Sequence, residues 1–454
     1  MATPSSHATS FDLLLTDLTI ITVDAAMTVI KDGAIGIIGG RLAWIGPQAS
    51  LPDGTTALRR LALPGRIATP GLVNVHTHAI LTMVRGVAED LGFAPAYTPG
   101  IPHGHDVTPE EAVALSRLGA VEALLFGSTL VNDTYVHADL TLPAMASLGM
   151  RVFACGRIHD ADFSLIGDGR WEYHTAIGER TLGDAIALAD RWHGKLDGRI
   201  GVQLAAHAPD TCSDDLLRQI ADASSQLNLR VNTHLVQSRK EVEQVKRRSG
   251  KTPPQLLEEV GLLNDRLLAA HCIYMDDDDI ARCGRAGIHV AHIPKGNATG
   301  GTIAPTSRLR RAGARITLGS DNMHADLVEV MRWALSIGRI QEGKVDEFWQ
   351  PEDVLRMATI DGARAMGLAG EIGSLEPGKR ADIVVFDFRR PHLVPCVDPL
   401  GNLVHVGQGR DVEHVWVDGV QVVEQGRPLL ADMEQIMADA QRASLGLWQR
   451  ARAA

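Results

Sequence analysis

The sequence predicts a protein of the α/β class, and three observations lead to this. Strand and helix patterns alternate about eight times over roughly 300 residues in the middle of the chain. Short β-rich runs occur at both ends, and histidines follow several of the central strands. Such an alternation is typical of a (β/α)8 TIM-like barrel. A doubly wound open sheet is the alternative, but no Gly-rich phosphate loop follows the first central strand.

The two ends of the chain are expected to build one small β-sandwich domain together. Residues 11–64 form short β-rich runs separated by turn residues, and the same texture returns at 381–388 and 412–426. Asp418-Gly419, between two alternating runs, predicts a hairpin. We therefore divide the chain into a first sandwich part (1–69), a barrel (70–380), a second sandwich part (381–430) and a C-terminal helix (431–454).

Inside the barrel region, each predicted strand is followed by a predicted helix. The clearest helix is 108–127, where Thr108 is the expected N-cap and Pro109 stands in the first turn. The stretches 86–107 and 160–180 are longer connections after strands one and three. Loops at that end of a barrel border the active site, so both are candidate lids, although plain surface loops would look the same.

Bulk properties exclude several classes of partner. The net charge is −11 and the pI is about 5.9, which argues against nucleic acid or an anionic membrane surface. The five cysteines are odd in number and lack CxxC spacing, which is typical of a reduced compartment. We see no secretory signal and no apolar run long enough for a membrane span. A cytoplasmic protein with a small-molecule substrate is expected.

Residues that can bind a metal stand at the carboxyl ends of the predicted strands. Strand one ends in "VNVHTHA", in which His76 and His78 are two apart and so share a face of an extended strand. Later strands end in His207, His234, His271 and Asp321. One such histidine is more often structural, but an ordered series at one end of a barrel predicts a metal site. Imidazole and carboxylate ligands suit zinc or ferrous iron.

The chain resembles the amidohydrolase superfamily, in its branch of cytosine deaminase and atrazine chlorohydrolase-like enzymes. The resemblance rests on blocks in the same order along nearly the whole chain. These blocks are "PGLVNVHTHAILTMVRG", "AAHAPDTCSDDLL", "VNTHLVQSRKEVEQV", "LLAAHCIYMDDDDI", "HIPKGNATGGTIAP", "ITLGSDN" and "GEIGSLEPGKRADIVVFDF".

The resemblance implies one divalent metal ion, with zinc expected and ferrous iron as the alternative. Its ligands would be His76, His78, His234 and Asp321, and the metal would activate a water molecule. Asp321 would also take the proton of that water. No lysine stands in a block that resembles the bridging residue of two-metal members. A homo-oligomer is also implied.

The same resemblance implies roles for residues around the metal. His271 would hydrogen-bond the nucleophile or the oxyanion without binding the metal. His207 matches a substrate-contact position, although a core histidine is nearly as well supported. Asn297 would help to shape the pocket, or serve only the structure of its loop.

Gln237 is the main departure from the family pattern. Deaminases of this branch carry a glutamate three residues after the strand-five histidine, which protonates the ring. An amide cannot deliver a proton at neutral pH, so Gln237 would act through hydrogen bonds. Glu241 and Glu243 on the following helix are expected to be solvated. His324, near Asp321, is a candidate for the missing acid or a residue that caps the next helix.

Three functions are therefore open. The sequence favours a metal-dependent hydrolase of a C–N bond in a non-peptide amide, urea, carbamate or heterocycle substituent, because Gln237 replaces the acid. The alternative within enzymes is deamination of an N-heterocycle such as a purine, pyrimidine, pterin or triazine, with Gln237 binding the ring. A catalytically inactive barrel that acts as a binding protein is the third possibility, but the predicted metal ligands are all present.

Overall fold

The computed structural model describes residues 10–91, 101–321 and 324–453, and it begins with five strands at the N-terminal end. The elements are numbered in chain order. The first five strands are β1 (Ser10–Ile21), β2 (Val29–Ile38), β3 (Arg41–Pro47), β4 (Thr56–Ala62) and β5 (Arg66–Pro70).

The central part of the chain contributes nine further strands, all of them buried or nearly so. They are β6 (Leu72–Thr77), β7 (Ser128–Tyr135), β8 (Arg151–Ile158), β9 (Ile200–Val202), β10 (Leu204–Ala206), β11 (Val231–Leu235), β12 (Leu267–His271), β13 (His289–His292) and β14 (Arg315–Leu318). They pair in parallel in the order β14-β13-β12-β11-β10-β8-β7-β6, and β9 also pairs with β8. Because β9 and β10 are two halves of one position, eight strand positions result. The predicted TIM-like barrel is confirmed.

Four more strands lie near the C-terminal end and return to the first five. They are β15 (Ile383–Asp387), β16 (Val412–Val417), β17 (Val420–Glu424) and β18 (Arg427–Pro428). β15 pairs with β5, which joins both chain ends in one mixed sheet of nine strands. Strand β1 pairs with β2, β4 and β5, so the sheet curls around its apolar residues. The β-domain built from both chain ends is confirmed, whereas the residue limits proposed for the domains stay a prediction.

The predicted hairpin lies between β16 and β17. Asp418 and Gly419 have φ angles of 50° and 75°, as a tight turn of this kind requires. A Cβ atom on Gly419 would lie only 2.8 Å from Cα of Gly40. The turn therefore packs directly against the β2–β3 connection, and glycine is needed there both for its φ angle and for its size.

Helices alternate with the barrel strands and cover them. They are α1 (Ala88–Leu91), α2 (Pro109–Leu125), α3 (Ala138–Ala146), α4 (Phe163–Ile166), α5 (Thr175–Trp192), α6 (Asp214–Leu227), α7 (Arg239–Ser249), α8 (Pro253–Glu259), α9 (Asp277–Ala286), α10 (Pro294–Thr299), α11 (Thr306–Ala312), α12 (Leu327–Glu342), α13 (Pro351–Met357), α14 (Ile360–Ala365), α15 (Pro399–His405) and α16 (Met433–Ala453). None of the helices in the described ranges has the length and apolar character needed to cross a bilayer.

Helix α2 begins as its sequence predicts. The Thr108 hydroxyl accepts a hydrogen bond from the Glu111 backbone N–H, and the Glu111 carboxylate accepts one from the Thr108 N–H. This reciprocal pair satisfies two backbone donors that the helix itself leaves unpaired. The connection 86–107 that precedes α2 lies partly outside the described residues, so its proposed role as a lid stays a prediction.

The C-terminal helix α16 packs on α2 and on the segment that follows strand β6. The Trp448 indole donates a hydrogen bond to the Met83 carbonyl at 2.9 Å, and Ser444 donates to the same carbonyl at 3.2 Å. Arg450 pairs with Glu111 at 2.6 Å. The last helix therefore stabilises the chain directly after the His76–His78 pair.

A buried arginine joins the barrel to the mixed sheet. Arg151 begins strand β8, is only 1% exposed, and lies 2.7 Å from Asp418 and 3.3 Å from Asp382. Both carboxylates belong to the C-terminal part of the mixed sheet or its turns. Because ions buried in this way need their partners, Arg151 fixes the relative position of the two layers.

Replacing Arg151 by methionine should therefore destabilise the protein. The substitution leaves the buried Asp382 carboxylate without its cation, which lowers the free energy of unfolding by about 3–5 kcal/mol. A urea titration followed by fluorescence measures the change. The matched control is Arg180→Met, because Arg180 is exposed and lies 4.0 Å from Asp184; equal midpoints for the two variants would contradict the assignment.

Candidate metal-dependent active site

An extra residue in strand β6 sets the direction of the histidine pair. Asn74 is opposite Val131 of β7 and Thr77 is opposite Asp133, so three steps along β6 match two along β7. Such a bulge re-aims the side chains that follow it. His76 and His78 consequently lie on one side of the strand, and their ring centroids are 4.7 Å apart.

The predicted ligands converge at the mouth of the barrel. The His76 ring lies 5.0 Å from the His234 ring, and the Nε2 atoms of His78 and His234 are 3.2 Å apart. The Asp321 carboxylate oxygen Oδ1 lies 3.6 Å from Nε2 of His78 and 4.0 Å from Nε2 of His76. Two overlapping groups, His76 with His78 and Asp321, and His76 with His234 and His271, have ligand atoms within 4.8 Å of one another.

Hydrogen bonds to backbone carbonyls determine which ring nitrogen faces the centre. Nδ1 of His78 lies 2.5 Å from the Thr134 carbonyl, and Nδ1 of His234 lies 2.7 Å from the His207 carbonyl. A carbonyl only accepts, so both Nδ1 atoms carry the proton and both Nε2 atoms present lone pairs. Burial lowers the pKa of His78 to about 4 and that of His234 well below its ordinary value, which keeps both rings neutral.

This arrangement fits a bound cation. Two neutral imidazoles whose lone pairs face each other at 3.2 Å repel unless a positive charge lies between them. Nε2 of His76 is also buried without a hydrogen-bond partner among the described residues. Neutral imidazole nitrogens with one carboxylate form a donor set that suits zinc or ferrous iron.

Asp321 also closes the barrel. Its N–H donates to the His76 carbonyl at 3.0 Å, and its carbonyl accepts from the His78 N–H at 3.2 Å. Asp321 adopts a left-handed φ of 64°, which is uncommon outside glycine. Gly319, two residues earlier, leaves no space for a side chain, because a Cβ there would lie 2.8 Å from Cβ of His76. The first and last strands are therefore joined at the predicted ligands.

His271 and Asn297 form a pair beside these ligands. Nδ1 of His271 lies 3.0 Å from Oδ1 of Asn297, and the His271 ring stacks 5.5 Å from the His234 ring. The Asn297 side-chain nitrogen is buried without a partner among the described residues. His271 thus lies close enough to bind the metal as well as to contact a substrate, and its predicted role as a non-ligand stays a prediction.

His207 directly follows β10, the fourth strand position of the barrel, and lies beside the other histidines. Its Nδ1 lies 2.8 Å from the Thr211 hydroxyl, which itself donates to the Ala208 carbonyl. The hydroxyl therefore accepts from Nδ1–H, and Nε2 of His207 is left as an acceptor. The ring packs 5.0 Å from His234 and 5.0 Å from Phe163.

Gln237 lies in a strained turn that a buried glutamate holds in place. The Glu241 carboxylate accepts hydrogen bonds from the N–H groups of Val236 at 2.7 Å and Gln237 at 2.8 Å. Val236 has a φ of 46°, which is a strained conformation for a β-branched residue. Burial, and then the neighbouring Asp210 carboxylate, raise the pKa of Glu241 well above its ordinary value. The expectation that Glu241 is a solvated helix charge is wrong, whereas Glu243 is exposed as expected.

Asp210, close to Glu241, binds residues of the long connection that follows β8, the third strand position of the barrel. The Trp171 indole donates to the Asp210 carboxylate at 3.1 Å, and the Tyr173 hydroxyl donates to the Asp210 carbonyl at 2.7 Å. Arg248 donates to the Tyr173 hydroxyl at 2.7 Å. The connection 160–180 is therefore anchored to the loop after His207.

His324 lies just beyond the last barrel strand and is half-buried, with both ring nitrogens out of contact with solvent. Neither ring nitrogen has a hydrogen-bond partner within the described ranges, and burial lowers its pKa to about 4. Lys295 and Glu329, which form a 2.7 Å ion pair, lie in its electrostatic surroundings. The ring makes no side-chain cap at helix α12, where Asp326 caps instead.

A cavity of about 800 Å3 lies between helices α3 and α5, and Tyr135 and Phe163 separate it from the histidine cluster. Its inner wall contains Tyr135, whose ring lies 5.6 Å from His78, and Phe163 beside His207. The Arg157 guanidinium lies 4.5 Å from the Tyr135 ring centre and 5.3 Å from that of Phe163. A cavity of this size can hold a nucleoside-sized molecule.

Comparison with known proteins identifies the family. Residues 67–422 match the model of the amidohydrolase family. The chain is a member of this family. The matched segment runs from strand β5 to strand β17 and contains all the predicted site residues, and the predicted branch, with its deaminases and triazine hydrolases, is confirmed.

Relatives of this amidohydrolase cover its whole length. It is 33% identical over 448 residues, 97% of the chain and 99% of the relative, to a 5-methylthioadenosine/S-adenosylhomocysteine deaminase of Pelotomaculum thermopropionicum. An adenosine deaminase from Xanthomonas campestris with bound zinc has a TM-score of 0.88 at 26% identity, covering 99% of this chain and 100% of its own. The atrazine chlorohydrolase TrzN from Arthrobacter aurescens TC1, complexed with zinc, has a TM-score of 0.86 at 25% identity over 95% and 100%.

These findings confirm that this amidohydrolase is a metal-dependent hydrolase that acts on C–N bonds other than peptide bonds, with a small-molecule substrate.

Three residues near the site, Arg157, Glu241 and Tyr135, were not predicted from the sequence. Arg157 had a usable signal, because it is a charged residue near the end of a barrel strand. Glu241 had none, since a glutamate in the first turn of a helix is commonly solvated.

Loss of a metal ligand should lower zinc binding by an amount that can be measured without any substrate. Zinc added to the metal-free wild-type amidohydrolase is expected to raise its Tm, because binding to the folded state alone stabilises it. The His76→Ala and Asp321→Asn variants should bind less zinc by elemental analysis and lose most of that rise. His174→Ala is the control, because His174 is exposed; a normal zinc content in the His76 variant would contradict the ligand set.

Glu241 should act on catalysis through Gln237. Glu241→Gln leaves one N–H of the turn without its acceptor, and the resulting displacement lowers kcat/KM by about tenfold to a hundredfold with an unchanged zinc content. In a Gln237→Ala background the same substitution should change kcat/KM much less, because neighbours that act together are not additive. Glu243→Gln on the same helix is the control, and equal effects of Glu241→Gln in both backgrounds would contradict the link.

Proposed function

We propose that this amidohydrolase deaminates an N-heterocyclic amine hydrolytically, and that 6-aminopurine nucleosides are its first substrate class. One observation carries the proposal: the ligand atoms of three histidines and Asp321 converge at the barrel mouth in a chain that aligns end to end with a 5-methylthioadenosine/S-adenosylhomocysteine deaminase. The zinc-bound adenosine deaminase of similar fold supports the same substrate class. The reaction consumes one water and releases one ammonia.

A single zinc ion is the cofactor that we propose, held by His76, His78, His234 and Asp321. When bound, it supplies a water molecule whose pKa is low enough for it to act as a nucleophile near neutral pH. The carbonyl partners of His78 and His234 keep the proton on Nδ1, so that Nε2 remains a ligand. His271 is assigned to hydrogen bonding with the reacting oxygen.

Proton transfer is then the task of this chain's own side chains. Asp321 accepts the proton of the attacking water, and the departing amine must gain one proton to leave as ammonia. Gln237 can donate a hydrogen bond to a ring nitrogen and hold the heterocycle, but it keeps its proton. Asp321 is therefore the group that returns a proton to the amine, because burial lowers the pKa of His324 to about 4 and leaves that ring neutral near pH 7.

The cavity beside the histidine cluster is the proposed place for the remainder of the substrate. Tyr135 and Phe163 offer aromatic surface for a ribose or a thioether, and Arg157 supplies a cation next to them. A substrate with a carboxylate at this end would gain a charge-assisted hydrogen bond. His207 and Asn297 would contact the heterocycle nearer the metal.

Gln237 also favours a second candidate function. A leaving group that departs as an anion, such as chloride from a triazine carbon, needs no proton from the enzyme, and its release would be an activity beside C–N hydrolysis. Hydrolysis of an activated heteroaromatic ring, as suggested by the similarity to atrazine chlorohydrolase, therefore avoids the step for which Gln237 is unsuited.

A substrate panel decides between the two candidates. The zinc-loaded protein is incubated with adenosine, 5-methylthioadenosine and S-adenosylhomocysteine, and separately with chlorinated and alkylamino triazines. Release of ammonia from the nucleosides supports the proposal, whereas release of chloride or alkylamine alone supports the second candidate. Absence of any turnover by protein of full zinc content would overturn both.

Restoring an acid at position 237 should change the preference among these substrates. Gln237→Glu supplies a proton donor for the ring nitrogen, and general acid catalysis of this kind contributes about 100- to 10,000-fold. The variant is expected to raise kcat for aminopurine deamination and to leave chloride release unchanged or reduced. The wild type is the control, because Gln and Glu have nearly the same shape and differ only in the acidic proton. A fall in kcat for every substrate would contradict the assignment of position 237 to proton transfer.

A further inference from the structure

The opposite end of the barrel from the metal ligands contains a second cavity, of about 770 Å3. It is lined by residues that begin the barrel strands, among them Arg230 before β11, His289 in β13 and Arg315 in β14. Arg230 directly precedes β11 and the proposed ligand His234 is four residues further along this strand, about 13 Å away at 3.3 Å per residue. The cavity is therefore separate from the proposed active site.

Positive charge predominates in this cavity. Five arginines face three aspartates in its lining, and two of these arginines are already paired. Arg310 lies 2.5 Å from Asp353, and Arg364 pairs with Asp361. Arg230 and Arg315 form no ion pair with any carboxylate in the described part of the chain. Burial and then Arg266 lower the pKa of Arg230, the Asp265 carboxylate of the lining opposes this shift, and Arg315 adds to it.

His289 adds a buried donor that lacks an acceptor in the described part of the chain. It is 2% exposed, and its Nε2 lies 3.4 Å from Nη1 of Arg315. A guanidinium can only donate, so Nε2 accepts and the proton of this neutral ring is on Nδ1. Burial, followed by Arg230 and Arg315, lowers the pKa of His289 to about 4, and Nδ1 has no partner among the described residues.

Arg230 presents a second donor of the same kind. Its Nη1 atom is buried and has no acceptor in the described ranges. Gly367, with a φ of 77°, leaves room for the guanidinium, because a Cβ there would lie 3.0 Å from Nε of Arg230. Buried donors are ordinarily satisfied, so an acceptor belongs beside Arg230 and His289.

We propose that this cavity, between Arg230, His289 and Arg315, is a binding site for a small oxyanion, with phosphate as the representative ligand. An oxyanion supplies the acceptors that Nη1 of Arg230 and Nδ1 of His289 lack, and it offsets two unpaired guanidinium charges. Because the site joins the starts of strands β11, β13 and β14, its occupant stabilises the barrel from the end that does not carry the chemistry.

Thermal unfolding with inorganic phosphate tests the proposal. The zinc-loaded protein is heated in chloride buffer and in phosphate buffer of equal ionic strength, with zinc content measured in both. At about one hundred times the dissociation constant, phosphate is expected to raise the Tm by about 3 °C for a chain of this size. A shift no larger than that in chloride would overturn the site.

Variants separate this site from a general effect of salt. Arg230→Gln and Arg315→Gln should abolish the phosphate-dependent rise, and Arg230→Gln should not lower the Tm in chloride, because it removes an unfavourable charge. Arg60→Gln is the control, since Arg60 is exposed on strand β4 of the mixed sheet and does not line the cavity. A full phosphate response in Arg230→Gln would overturn the proposal.

A parallel titration with adenosine monophosphate identifies the source of the oxyanion. A response at lower concentration than with inorganic phosphate, and dependent on Arg230, indicates a phosphorylated metabolite. An Arg230-dependent response at equal or higher concentration indicates the free ion, and both results support the site. Because no turnover is measured, failure here leaves the proposed deamination untouched.

Discussion

Closure of the barrel at Asp321 is the interaction on which the rest of the structure depends. Two backbone hydrogen bonds join this residue to His76 and His78, so the first and last strands meet at the proposed metal ligands. The barrel cannot close without bringing these groups together, and Gly319 is needed because the strands approach too closely for a side chain. The contacts that close the barrel therefore also set the positions of the site residues.

Strain at the strand ends is compensated by the network around the site. Positive φ angles occur at Val236, His271 and Asp321. This backbone conformation is unfavourable for residues other than glycine and persists only where surrounding contacts stabilise it. The Glu241 carboxylate does so for Val236 and Gln237. Asp210 lies in the electrostatic surroundings of Glu241 and binds Trp171 and Tyr173 of the connection 160–180, so the pocket wall and the Gln237 turn lie close together.

Much of this could be predicted from residues in order along the chain. The carboxyl ends of parallel strands share one edge of a barrel, so His76, His78, His234 and Asp321 could be assigned to one place from strand ends alone. The contributions of Glu241 and Arg157 could not. Each depends on a neighbour distant in sequence or on burial, and a local pattern carries no information about either.

The sequence by itself determined the barrel, the shared β-domain and the group of candidate metal ligands, because periodicity and strand-end position are local properties. Only the tertiary structure decided which ring nitrogens face the centre, which carboxylate is buried, and which donors have no acceptor. These outcomes depend on contacts such as those of Thr134 with His78 and of Arg315 with His289. Such contacts join residues far apart in the chain, and folding alone brings them within hydrogen-bonding distance.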